Sequence, residues 1–215
     1  MKGAWWDAFA QAGGYEDLET WLGGVDHASR VRIRERIAEC RYESVLDCGA
    51  GLGIDAIGMS NLAHECVYTG IEPSKEMRAA AFKMAERYGV GAPNIVAGSI
   101  EQLPFAASTF DLVYARHIFE HLPRIDQAIS EMIQVAKLEV IVVFFMRPGK
   151  ETYLTRERDG LWQNWWSKED VEKEFAANPK VEVFFWETLG TECLFHAYLK
   201  DATEVDPKRV AERMA

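Results

Sequence analysis

The stretch "VLDCGAGLGIDA", residues 45–56, decides the fold. With Ser44 it opens on a short apolar run that ends at glycine, which reads as a buried strand over about residues 44–48. Glycines follow at 49, 51 and 53, and Ile54, Ile57 and Leu62 then fall at helical spacing. A glycine loop between a strand and a helix lets a ligand come close to the backbone, and the helix N-terminus adds free N–H groups. A dinucleotide loop reads G-x-G-x-x-G. Counted from Gly49 and Gly51, the third position here is Ile54, and the glycine falls at Gly53 instead. Asp47 stands two residues before Gly49. An acid there sits poorly beside a pyrophosphate but suits a ligand that carries an ammonium group and a sulfonium. Ile54 and Asp47 together disfavour a nicotinamide oxidoreductase.

Outward from this stretch, strand and helix signals alternate. "CVYTGIE" reads as the second strand, "NIVAGS" as the third, "FDLVYA" as the fourth and "LEVIVVFFM" as the fifth. The last is apolar throughout, so it is expected to be covered on both faces. "PSKEMRAAAFKMAERYGV" is a helix: Ser74 caps it, Met77, Ala81, Met84 and Tyr88 recur at helical spacing, and Gly89 ends it. "IDQAISEMIQVAK" is another, with Ile125, Ile129, Met132, Ile133 and Ala136 on one face. Near the end of the chain, "SKEDVEKEF" starts a helix with a capping box of Ser167 and Asp170. "KVEVFFWETLG" and "TECLFHAYLK" then form two strands turning at Gly190, an antiparallel hairpin. The expected fold is α/β: a doubly wound, mostly parallel seven-stranded sheet with a C-terminal antiparallel hairpin, helices on both faces and a small helical, aromatic cap.

Composition narrows the function classes. The chain has 215 residues, 48% hydrophobic and 27% charged, as expected of one ordinary globular domain. A net charge of −10 argues against general nucleic-acid binding, which needs a basic face. No apolar run approaches a membrane span, and the first residues lack the apolar core of a signal peptide. Cys40, Cys48, Cys66 and Cys193 form no C-x-x-C pair, which points to reduced thiols in a cytoplasmic protein. In the helix "HASRVRIRERIAEC", Ile33, Ile37 and Cys40 give a buried stripe while the arginines fan around it. A solvated basic face is the expected role for those arginines, and a phosphate-bearing substrate the sharper one.

"LDCGAGLG" resembles the first motif of the class I, Rossmann-like S-adenosylmethionine-dependent methyltransferases, and the rest follows in that family's order. "GIEPS" places Glu72 and Pro73 at the end of strand two, where the family's acid binds both ribose hydroxyls. "GSIEQLPF" resembles the segment that holds adenine, with the Ser99 side chain and the Ile100 backbone at the ring edge. Many relatives carry Asp where this chain has Ser99, so the adenine amino group would meet an uncharged partner. "FDLVYARHIFEHL" resembles the strand-four motif of the group called type 11. The resemblance covers roughly residues 40–146 and the terminal hairpin. It implies a cofactor site of Asp47, Gly49, Ala50, Gly51, Gly53, Glu72, Pro73, Ser99, Ile100 and Arg116, with S-adenosylhomocysteine as product. It also implies a single domain over 1–215: an N-terminal cap at 1–41, a cofactor-binding core at 42–146, a lid insertion at 147–178, the hairpin at 179–200 and a tail at 201–215.

On the acceptor side, a small-molecule acceptor is expected, bound by a monomer or homodimer. His117 directly follows strand four and is the candidate base or substrate contact, and Arg116 beside it suits a carboxylate. Trp5, Trp6 and Phe9 and, farther on, Trp162, Trp165 and Trp166 are expected to pack as a lid, with Trp6, Trp162 and Trp165 as acceptor contacts. A silent S-adenosylmethionine-binding module is the alternative. "ARHIFEHL" (115–122) also reads H-x-x-E-H, an inverted zinc-hydrolase signature built on His117, Glu120 and His121. Pro123 leaves any helix there too short, and no third ligand is evident, so no metal is expected. His121 is expected to be structural.

Overall fold

The computed structural model describes residues 2–12, 19–20, 23–145, 151–155 and 161–200. The elements in chain order are α1 (Lys2–Gln11), α2 (Ala28–Cys40), β1 (Ser44–Cys48), α3 (Ile54–Met59), β2 (Val67–Glu72), α4 (Lys75–Arg87) and β3 (Ile95–Ala97). There follow β4 (Phe110–Arg116), α5 (Asp126–Val135), β5 (Ala136–Phe145), α6 (Lys168–Ala176), β6 (Val181–Leu189) and β7 (Glu192–Leu199). The strands form a seven-stranded sheet in the order β3-β2-β1-β4-β5-β7-β6. The pairs β1–β2, β2–β3 and β4–β5 are parallel, and β5–β7 and β6–β7 antiparallel. This is the expected α/β sheet closed by a hairpin. Two compact units divide the chain, the first running to Ile100 and including Leu161, the second holding Glu101 and Trp162.

In the first unit, Val45, Leu46 and Cys48 of β1 are fully buried, which is why that run is apolar on both faces. Ser74 caps α4 by accepting from the Met77 amide at 3.0 Å, and Gly89 at φ +67° follows its end. The buried face of α4 is Met77, Ala80, Ala81, Met84 and Ala85. Tyr88, expected on that face, lies past the last turn, is 42% exposed and donates its hydroxyl to Glu19. Helix α3 stops at Met59, short of Leu62, because turns take over at Ser60.

Helix α2 corrects the charge reading. Ile33 and Ile37 are fully buried as expected, but Arg30 and Arg36 are only 5% and 3% exposed. Arg30 forms an ion pair with Asp55 on α3. Arg34 lies across Gly58, where an added Cβ would sit 2.5 Å from its Nη1, and donates to the Val25 carbonyl at 2.7 Å. Arg30 thus serves a buried carboxylate rather than solvent, since a buried charge persists only when paired.

In the second unit, α5 passes into β5 without a loop: Ala136, at φ −77° and ψ 144°, caps the helix and opens the strand. The strand therefore starts two residues before the expected Leu138; the expected end, Met146, lies outside the described residues. Every residue of β7 is buried, and Gly190 at φ +62° makes the turn from β6. Helix α6 lays Phe175 on Phe195 of β7 with ring centroids 4.6 Å apart. Its capping box is half made. Ser167 Oγ accepts from the Asp170 amide at 3.1 Å, but the Ser167 amide donates to Thr152 Oγ1 instead of to Asp170.

Cys40, Cys48, Cys66 and Cys193 are free thiols. No helix among the described residues is long and apolar enough to cross a membrane. Parts of the expected lid insertion (147–150 and 156–160) and the tail at 201–215 lie outside the described residues, as do Gly13 and Gly14.

Candidate functional site

The first unit gathers Asp47, the glycine loop and Glu72 at the C-terminal ends of β1 and β2. Gly49, Gly51 and Gly53 all have left-handed φ, at +86°, +51° and +67°. Other residues adopt this backbone at a cost, so the loop needs glycine. At Gly53 a Cβ would also press to 3.2 Å from Ala81 Cβ and Ile95 Cδ1. The loop is pinned from below: the Gly49 and Ala50 amides both donate to the Ile71 carbonyl of β2, at 2.8 and 3.1 Å. Ala50 itself is buried.

Glu72 reaches back into the loop. Its Oε2 accepts from the Gly51 amide at 3.0 Å, and its Oε1 from the Ser74 amide at 2.8 Å. The side chain is buried. Loss of hydration pushes its carboxyl up from 4.5 to about 7, although the Ser74 and Gly51 amides pull the other way. Asp47, 2% exposed, accepts from the Tyr68 hydroxyl at 2.7 Å. Pro73 is exposed and its carbonyl accepts from Arg78. Ser99 and Ile100 follow β3, the first half-buried and the second buried.

Trp6 belongs to this unit. With Phe9 it packs on a buried cluster that includes Leu52 and Ile54 of the loop and Met77 of α4. Helix α1 is also tied down by Asp7, which accepts from Ser74 Oγ at 2.5 Å and the Glu76 amide at 3.1 Å. Asp7 thus caps a helix other than its own.

The second unit holds Arg116 and His117 at the end of β4. His117 is in the left-handed region, at φ +55°, and its amide donates to the Val143 carbonyl. Its ring lies between two carboxylates, Nδ1 at 3.0 Å from Glu120 Oε1 and Nε2 at 2.5 Å from Glu192 Oε1. Arg116 donates to the same Glu192 oxygen at 3.2 Å. Phe145 stacks on the imidazole at 4.3 Å. Burial works against the imidazolium, but the bonds to Glu120 and Glu192 outweigh it, and the pKa rises. Both ring nitrogens are committed, which leaves His117 a poor base in this arrangement.

The H-x-x-E-H stretch has a different use. Phe119–His121 is one 3-10 turn, and the segment carrying Trp162 and Trp165 docks on it. His121 Nδ1 donates to the Trp162 carbonyl at 2.9 Å, and Trp166 Nε1 to the Phe119 carbonyl at 2.7 Å. Asn164, 1% exposed, donates from its amide to the Glu120 carbonyl and from Nδ2 to the Leu122 carbonyl, and its Oδ1 accepts from the Thr155 amide. Trp165 pairs antiparallel with Tyr153, so residues 151–155 and 161–166 run as a ribbon. Trp162 and Trp165 are half-buried within it. His117 and His121 face different partners. Among the described residues no group of three or more His, Cys, Asp or Glu side chains is arranged for a metal.

Sequence reasoning missed Tyr68, Asp7, Glu192 and Asn164. Glu192 lies 75 residues from His117, so no local pattern links them. For Tyr68 a signal existed: Gly70, an isolated glycine inside a strand, marks a close approach.

S-adenosylmethionine fits the first unit's donor set. Each Glu72 oxygen has taken one amide and retains acceptor capacity for a diol. The loop glycines leave backbone open above it, and Asp47 offers negative charge at the strand end.

Residues 46–144 match the family model described as a methyltransferase domain, Methyltransf_11. The chain is 33% identical over 124 residues to the uncharacterized methyltransferase YcgJ of Bacillus subtilis, covering 57% of this chain and 47% of that one. It is 27% identical over 143 residues to a malonyl-[acyl-carrier protein] O-methyltransferase of Methylovorus, covering 64% and 47%. The chain therefore spans about half the length of these curated relatives. Among solved structures it resembles magnesium protoporphyrin IX methyltransferase (ChlM) from Synechocystis with bound SAM, at TM-score 0.66 and 14% identity, covering 93% of this chain and 98% of that one. Over residues 46–144, then, the chain is similar to the type 11 methyltransferase domain family.

Proposed function

We propose that the protein is an enzyme that transfers a methyl group from S-adenosylmethionine to a small-molecule acceptor. The observation that carries this reading is Glu72. It is a buried carboxylate at the end of β2, held by the amides of Gly51 and Ser74 beside a loop of three left-handed glycines. In this reading Glu72 accepts from both ribose hydroxyls, and the loop amides lie along the cofactor. Asp47 takes the α-ammonium end, and Ser99 with the Ile100 backbone meets the adenine. When bound, the cofactor supplies an electrophilic methyl group on its sulfonium. The chain's own work is then to bind, to orient an acceptor in line with that carbon and to exclude water, which supplies a large part of such a barrier.

On the acceptor side, Arg116 and His117 act as charged contacts. Their shared partner Glu192 and the second carboxylate Glu120 support that role over proton abstraction by His117, because no ring nitrogen is left to take a proton. Trp162 and Trp165, in the same unit, supply apolar surface for the acceptor.

Calorimetric titration with S-adenosylhomocysteine tests the reading. Binding in the micromolar range that Glu72→Ala abolishes is expected. No heat with the parent, or equal binding by Glu72→Ala, would overturn it.

A further inference from the structure

Tyr68 opens the question. It lies near the start of β2, two residues before Gly70, so the two share one face of the strand. Gly70 is the register partner of Asp47 on β1. The Tyr68 ring runs along the strand over Gly70, and its hydroxyl reaches Asp47 Oδ2 at 2.7 Å. The path exists only because Gly70 has no side chain. A Cβ there would lie 3.1 Å from Tyr68 Oη and 2.7 Å from Ala50 Cβ in the glycine loop. The same bare position therefore admits the phenol from one side and the loop from the other. Burial and the Asp47 charge push the phenol well above its ordinary pKa, so it is a neutral donor at neutral pH.

We propose that Tyr68 is a positioning residue for the cofactor's amino-acid end, acting by fixing the rotamer of Asp47. This rests on the methyltransferase reading above. An aspartate can turn its carboxylate about its terminal torsion over a broad range. With Oδ2 committed to Tyr68, the carboxylate plane is set, and an α-ammonium group meets a fixed acceptor rather than a rotating one. A group oriented before binding costs less to order on binding. The effect should fall on the ligand's amino-acid end, because the group that Tyr68 bonds is Asp47.

The test uses two probes. S-adenosylhomocysteine carries the amino-acid end; 5′-methylthioadenosine keeps the adenosine and thioether but lacks it. In Tyr68→Phe the dissociation constant for S-adenosylhomocysteine is expected to rise about fivefold to tenfold, the cost of ordering on binding a carboxylate no longer held beforehand. That for 5′-methylthioadenosine should stay within about twofold, since it makes no contact with Asp47. Asp47→Asn should show the same split. The double variant should bind S-adenosylhomocysteine no more weakly than Asp47→Asn alone, because Tyr68 acts through Asp47. Equal weakening of both probes in Tyr68→Phe, no change in either, or additive losses in the double variant would overturn the inference while leaving the methyltransferase reading intact. A parent protein that binds neither probe would remove that reading, and this inference with it.

Discussion

Glu72 gives the cofactor site a pH response whose size follows from its burial. The free carboxyl titrates at about 7, raised from 4.5 chiefly by lost hydration. Hydroxyl groups donating into it require the charged form. At pH 8 about one protein in ten carries the proton on Glu72, and at pH 6 about nine in ten. If only the carboxylate binds, the apparent dissociation constant for S-adenosylhomocysteine is multiplied by about 1.1 at pH 8 and about 11 at pH 6. The predicted weakening is about tenfold, or about 1.4 kcal/mol. Glu72→Gln keeps the shape but cannot titrate, so it should bind more weakly and show no such slope. Calorimetry at pH 6, 7 and 8, in pairs of buffers that differ in ionisation enthalpy, reads both quantities. The parent should release about half a proton per ligand bound at pH 7. A flat parent profile would refute the reasoning. An equal slope in the Gln variant would move the titration to another group. The ligand-free protein supplies a second check. A carboxyl raised on folding stabilises the fold fully below pH 4.5, and that contribution is lost as pH rises through about 7. The loss amounts to about 3 kcal/mol, which Glu72→Gln should not show in urea titrations.

Three further outcomes are expected. Gly53→Ala forces a Cβ onto a left-handed residue against Ala81 and Ile95, so urea unfolding should show a loss of about 1–2 kcal/mol, with weaker binding of S-adenosylhomocysteine. Asn164→Ala strips partners from the Leu122 carbonyl and the Thr155 amide, and should lower stability by about 2–3 kcal/mol while leaving cofactor binding unchanged by calorimetry. His117→Ala removes the cation between Glu120 and Glu192. It should lower the thermal midpoint, and the loss should be greater at about pH 6 than at alkaline pH, because the stabilisation from a raised imidazole is fully present below its unfolded pKa and is lost as pH rises through the folded one.

The local features were legible. Val45–Cys48 announced its strand by apolar run, Ser74 and Gly89 bounded their helix by type, and the glycines at 49, 51 and 53 marked a loop that only they tolerate. The site's supports were not. Glu192 meets His117 from 75 residues away, and pairing at that range leaves no periodicity to read. The arginines of α2 misled because sequence spacing tells which way a side chain fans, not whether a carboxylate such as Asp55 waits inside. His117 was singled out by its place after β4, but its surroundings depend on two acids whose positions only the folded chain sets. Tyr88 kept helical spacing in sequence yet fell beyond the last turn, where the helix had already ended.

The β6–β7 pairing has a consequence for synthesis. Strand β7 lies between β5 and β6, and β6 pairs with nothing else. As the chain leaves the ribosome, β5 emerges with one edge unfilled, and its partner arrives only after the whole stretch from Phe145 to Glu192 has been made. During that interval an edge of Val140, Ile141, Val142, Val143 and Phe144 is open to other chains. The nascent protein is therefore most exposed to aggregation between the emergence of β5 and that of β7, and slow codons placed between β5 and β7 should lower its soluble yield more than the same codons placed before β4.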